Sequence, residues 1–118
     1  MPIQTYKDLI VWQKSVGLVV IVYQLTAKLP KDELYGLSTQ MKRAAVSIPS
    51  NIAEGFRRNH QAEKTQFYAI AYASGAELET QIEICRKLDL LTSGETQPAD
   101  KILDEIMRML NKLSALKR

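Results

Sequence analysis

The stretch Ser47-Ile48-Pro49-Ser50-Asn51-Ile52-Ala53-Glu54-Gly55 sets a proline inside a pattern that otherwise reads as unbroken helix. Upstream, Leu37, Met41, Ala44, Ala45 and Ile48 recur at helical spacing, and Ile52, Ala53 and Phe56 continue the same apolar face. A proline within a helix removes one backbone hydrogen bond and clashes with the carbonyl four residues back, at a cost of about 3 kcal/mol. A helix kinked or restarted at Pro49 is therefore expected. Ser47, Ser50 and Asn51 bring short hydrogen-bonding side chains to the places where a capping residue would stand.

Working outward, the punctuation divides the chain into four helices with three short connections. The first is expected from about Tyr6 to Lys28, stopped by Leu29-Pro30, because the residue before a proline is pushed out of the helical region. The second starts near Lys31-Asp32-Glu33, with acids where the helix dipole favours them, and runs to Arg57 or Arg58. Asn59-His60-Gln61 is a polar break, and a third helix follows from Gln61 to Leu88. After Leu91-Thr92-Ser93-Gly94, a fourth is expected from Gln97 or Pro98 to Leu116, with Pro98 in its first turn. Short loops between long helices make neighbours antiparallel, so the fold class is all-α, an up-down four-helix bundle. At 118 residues the chain has the length of one domain, spanning 1–118.

The first helix carries two apolar stripes. Leu9, Trp12, Val16, Val19, Val20 and Tyr23 form one; Val11, Leu18, Val22, Leu25 and Leu29 form the other, about a third of a turn away. One stripe suffices for the core of a bundle, and an exposed second stripe invites association. The Val11, Leu18, Val22, Leu25 and Leu29 stripe is assigned here to an interface between copies of the chain.

Composition bounds the rest. A hydrophobic fraction of 46% with 25% charged residues is ordinary for a globular domain, and no segment approaches the roughly 20 apolar residues of a membrane span. The first residues do not read as an export signal, so a cytoplasmic location without membrane association is expected. The single cysteine, Cys85, falls in an apolar helical pattern and reads as a buried small hydrophobe. Sixteen Lys and Arg against thirteen Asp and Glu leave a net charge of +3, which permits nucleic-acid binding.

Two constellations carry candidate chemistry. Gln40, Arg43, Ser47, Asn51 and Glu54 share one face of the second helix, and Ser74, Glu77 and Gln81 form a matching line on the third. These are read as a structural polar network fixing register, with Arg43 and Glu77 as a partly buried ion pair. A di-metal carboxylate site would require Glu-x-x-His pairs, and the one histidine, His60, falls in a loop. No phosphate loop, zinc ligand set or nucleophile elbow is present, so neither catalytic residues nor a cofactor or metal is expected. The second constellation is basic: Arg57, Arg58, His60 and Lys64 around the second connection, and Lys101, Arg108 and Lys112, followed by Lys117 and Arg118, on the last helix. Either group could be a solvated surface or a phosphate-binding patch; with few aromatics nearby, backbone or shape contact is favoured over base stacking.

The ordered set Leu9-Ile10-Val11-Trp12, Leu29-Pro30 with Glu33, Tyr35-Gly36-Leu37, Gln40, Arg43-Ala44-Ala45, the proline stretch, and Ala73-Ser74 with Glu77-Leu78 and Gln81 resembles the 23S rRNA-intervening sequence protein family, small four-helix bundle proteins, over nearly the whole chain. The family is named for the insertions in large-subunit ribosomal RNA genes where many of its genes lie, and gene location is not an activity. The resemblance implies a ring-shaped homopentamer. Similar ring-forming proteins in diversity-generating retroelements are accessory factors working with a reverse transcriptase and RNA. Together these readings give a non-enzymatic oligomeric protein that binds structured RNA or other nucleic acid through basic surface. The alternative is a protein-interaction scaffold or accessory factor without direct nucleic-acid binding.

Overall fold

The computed structural model describes residues 2–115. Thr5 opens a 3-10 turn over Tyr6–Asp8: its hydroxyl accepts from the Lys7 backbone, while the Asp8 carboxylate accepts from the Gln4 and Thr5 N–H groups. Those two bonds hold the Asp8 carboxyl below the usual range. Leu9 is extended, and helix α1 then runs Ile10–Thr26. A 3-10 turn at Lys31–Glu33 and a wide π-type turn at Leu34–Ser38 lead into α2, Thr39–Phe56. Helix α3 spans Gln61–Lys87 and α4 spans Ser93–Ala115.

Each helix packs against its chain neighbours, and α4 closes against α1, giving an antiparallel up-down four-helix bundle with overall extents of 43 × 26 × 21 Å. The centre is filled by Leu18 and Val22 of α1, Met41, Ile48 and Ile52 of α2, Leu78 and Ile82 of α3, and Leu103, Ile106 and Leu110 of α4. Cys85 is fully buried, its Sγ 3.7 Å from Met41 Sδ, and burial foremost, with the charge of Glu33 adding to it, pushes the thiol pKa up. At Gly75 the α3 backbone lies so near α4 that a Cβ would stand 2.2 Å from Met107 Sδ.

Helix α2 does not restart at its proline. It continues through Pro49, which is buried, and the backbone irregularity falls earlier, at Gly36. Packing on both sides holds the helix where propensity alone would break it. Helix α3 ends within a residue of the expected Leu88, closed by a feature the sequence reading did not include: Asp89 takes a left-handed conformation, φ 58°, while Asp89 N–H donates to the Arg86 carbonyl and Leu90 N–H to the Cys85 carbonyl. This is the Schellman closure, with aspartate in the place glycine commonly fills.

Two expectations are corrected. Helix α4 begins at Ser93, and Pro98 lies inside it beyond the first turn. The cause is a reciprocal cap: Glu95 N–H donates to Thr92 Oγ1, and Thr92 N–H donates to Glu95 Oε1. The second correction concerns α1. Val11, Leu18, Val22, Leu25 and Leu29, assigned above to an interface between copies, are buried within the protomer. The other stripe is the open one, with Val16, Val20 and Tyr23 exposed. Leu116, Lys117 and Arg118 lie outside the described residues.

Candidate nucleic-acid interface

The antiparallel arrangement brings the start of α1, the end of α2, the start of α3 and the end of α4 to one end of the bundle. The first basic group gathers there, at the α2–α3 connection, and its members are held individually. Lys64 Nζ donates to the Phe56 carbonyl at 2.7 Å and to the Gly55 carbonyl at 3.4 Å, capping the C-terminus of α2, whose last carbonyls have no partner within the helix. Arg58 pairs with Glu54 at 2.8 Å and lies over the Phe67 ring. Arg57 lies over the Tyr6 ring, its guanidinium carbon 5.5 Å from the ring centre, which ties the 3-10 turn to α2. His60 is exposed and immediately precedes α3.

On α4, Arg108 and Lys112 stand toward this same end, Arg108 pairing with Asp104 at 3.0 Å. Lys101 does not join them: seven residues before Arg108, it lies about 10 Å along the axis toward the other end. Lys7, overlooked in the sequence, lies in the 3-10 turn at the basic end. The opposite end is richer in acids, with Asp32, Glu33, Glu83, Asp89, Glu95 and Asp100. There Arg86 binds Glu83 at 2.7 Å, Asp100 at 2.9 Å and Thr96 Oγ1 at 2.7 Å, locking α3 to α4. The bond from Arg86 holds the Glu83 carboxyl below its usual range, and the Thr92 N–H foremost does the same for Glu95.

The polar network is realised in part. Ser47 Oγ and Ser74 Oγ lie 2.8 Å apart across the α2–α3 seam, and Asn51 Nδ2 donates to both Ser47 Oγ and the Ser47 carbonyl. Gln40, Arg43 and Glu77 line the same seam, forming a cleft of about 270 Å³ with the two serines and Ala44. The expected Arg43–Glu77 ion pair does not form: both side chains are exposed, where separate hydration of two charges competes evenly with pairing. Glu54 turns to Arg58 instead. Gln81 is 8% exposed, and its Oε1 has no hydrogen-bond partner.

Adjoining this cleft across Arg43 and Ser47, the surface toward α1 exposes apolar side chains. Tyr23, Lys42, Arg43, Val46 and Ser47 line an open groove between α1 and α2, with Lys42 Nζ 5.0 Å from the Tyr23 ring centre. Val20 continues this apolar surface along α1. Among the described residues no cluster of three or more His, Cys, Asp and Glu could hold a metal ion, and no helix is long and apolar enough to cross a membrane.

Fold and surface thus define an antiparallel four-helix bundle with a basic end and an apolar flank. The chain belongs to the 23S rRNA-intervening sequence protein family, whose sequence pattern it matches over residues 7–112. It is also similar to a solved structure from Bacteroides thetaiotaomicron VPI-5482, a protein of unknown function from the S23 ribosomal protein family. That likeness has a TM-score of 0.82 at 23% identity, covering 89% of this chain and 98% of the other. At that identity the likeness bears on the fold alone. No curated protein matches the chain.

Proposed function

We propose that this chain is a non-catalytic, self-associating bundle that binds nucleic acid, structured RNA foremost, through its basic end. The observation that carries the reading is a surplus of cations at one end of the bundle. At one end Lys7, Lys14, Arg57, Arg58, Lys64, Arg108 and Lys112, with His60 beside them, outnumber Asp8, Glu54, Glu63, Asp104 and Glu105, while at the other end the six acids offset Lys28, Lys31, Arg86, Lys87 and Lys101. On one protomer this field is weak. An assembly with its bundle axes aligned would repeat the cations around one rim, and affinity grows with the number of phosphates neutralised.

The apolar flank supports self-association. Val16, Val20 and Tyr23 of α1 and Val46 of α2 are each at least 37% exposed. On a different side of the protomer, Ile84 and Leu88 of α3 are also exposed, beside Glu79 and Glu83. Tyr23 with Lys42 and Ile84 with Glu83 lie toward the same end of the bundle, so one patch can meet the other in head-to-tail fashion about an axis parallel to the helices, a geometry that closes into a ring when the rotation per subunit divides a full turn. Five subunits is the number the family resemblance implies. The same flank favours a second reading, a scaffold that binds another protein, in which the charges serve only solubility.

Fluorescence anisotropy with a structured RNA fragment, repeated over salt concentrations, tests the reading. Binding whose log affinity falls steeply with log salt is expected, with a shallower slope for Arg57→Glu/Arg58→Glu than for a control reversed at the other end, Lys31→Glu/Lys87→Glu. Equal loss in both variants, or no binding at low salt, sinks the RNA assignment. Native mass spectrometry then decides between self-association and the scaffold: a wild-type monomer removes the former.

A further inference from the structure

We infer that the cleft between α2 and α3 is a binding site for a small zwitterion of the α-amino acid class, with Arg43 receiving its carboxylate and Glu77 its ammonium group. The floor is built by hydrogen bonds. Asn51 Nδ2 donates to Ser47 Oγ, so that oxygen is already accepting a bond, and Ser47 Oγ and Ser74 Oγ share one further bond at 2.8 Å. Two hydroxyls bring two protons, and their mutual bond uses one. The other is left to donate, whichever serine carries it. Ser74 is 8% exposed, so this donor sits at the bottom of the cleft rather than on open surface.

The rim supplies the charges. Arg43 and Gln40 stand on the α2 side and Glu77 on the α3 side, and among the described residues Arg43 and Glu77 make no ion pair with each other or with any other group. A guanidinium suits a carboxylate because its paired N–H donors match the two oxygens, and the spare serine proton adds a third donor. Glu77 offers acceptors only, as an ammonium group requires. The volume, about 270 Å³, falls just below the range of roughly 300–1,000 Å³ usual for ligand pockets and is matched to a group of amino-acid size. A ligand with one charge would leave the opposite rim unmatched.

The test is titration of isotope-labelled full-length protein with glycine, L-glutamate and L-arginine, followed through the backbone amide signals of Ser47, Ser74 and Glu77. N-acetylglycine amide, which lacks both charges, is the control. Saturable shifts at these three residues are expected with at least one zwitterion, weakened at least tenfold for the control. Arg43→Ala and Glu77→Ala should each weaken binding at least tenfold; both side chains are exposed, so the bundle is expected to stay folded, which the dispersion of the remaining amide signals verifies. No saturable shift with any of the three up to about 10 mM, ten times weaker than a millimolar site, overturns the assignment. So does binding that the neutral control matches or that survives both substitutions.

Discussion

Helix α2 has two flanks built on different principles. Toward α3 it offers Ser47, whose Oγ lies 2.8 Å from Ser74 Oγ and is held by Asn51 of its own helix; toward α1 it offers Val46 and Lys42, which meet Tyr23 through shape and ring contact. Hydrogen bonds specify which residue faces which, because a slip of one turn leaves donors and acceptors orphaned. Apolar contact is more permissive, since a methyl group accepts any neighbour of suitable size. The Ser47–Ser74 bond thus favours one register of α2 on α3, and the α1–α2 flank stays available for another surface.

The strongest way to probe this contrast is to place a carboxylate at two depths beside the permissive flank. Val22 is fully buried, and Val22→Glu is expected to cost about 4 kcal/mol or more and to unfold the chain. Val20→Glu, at 54% exposure, should leave helicity by circular dichroism intact and lower the native mass. A folded Val22→Glu protein would contradict the burial of Val22 in the core. Next in size is Gly55→Ala at the α2–α3 seam, where a Cβ would stand 2.7 Å from the Tyr68 ring. Overpacking there should lower stability by about 1–3 kcal/mol in urea unfolding.

A direct comparison of the two flanks comes from adjacent residues. Ser47→Ala leaves Ser74 without its partner and should cost about 1–2 kcal/mol, whereas the neighbouring Val46→Ala, 40% exposed, should change stability by about 0.5 kcal/mol or less. Equal effects would erase the distinction between a specifying seam and a permissive one. The smallest effect is that of pH. The Glu95 carboxyl is held below its ordinary value of 4.5 in the folded state, so the stability it contributes is present above that pH and lost as pH falls through the lowered value. Glu95→Gln should flatten the acid side of the melting-temperature profile.

The helices were legible because their apolar spacing is regular and their breaks carry proline or polar residues. Which stripe of α1 faces inward was not. Both stripes are rich in branched aliphatic residues, and the inward one hides Ser15, buried with its hydroxyl bonded to the Val11 carbonyl, while the bulk of Trp12 and Tyr23 draws attention to the outward one. Periodicity locates stripes; only the other three helices decide which of them is covered. The start of α4 was misplaced for a different reason: Thr92-Ser93-Gly94-Glu95 is a capping-box spacing, readable in principle, but Pro98 offered a competing helix start. For the polar seam, spacing revealed the shared faces of α2 and α3, whereas the absence of an Arg43–Glu77 bond depends on rotamers that spacing does not encode.

Trp12, the only tryptophan in the chain, meets the Tyr6 ring edge-on with 5.3 Å between centres, and Arg57 lies over the same Tyr6 ring. The basic end therefore contains its own optical probe. Its indole emission should respond when Arg57 is drawn away from Tyr6, so occupancy of that end can be followed in unlabelled protein, in real time, without touching a single residue of the surface being measured.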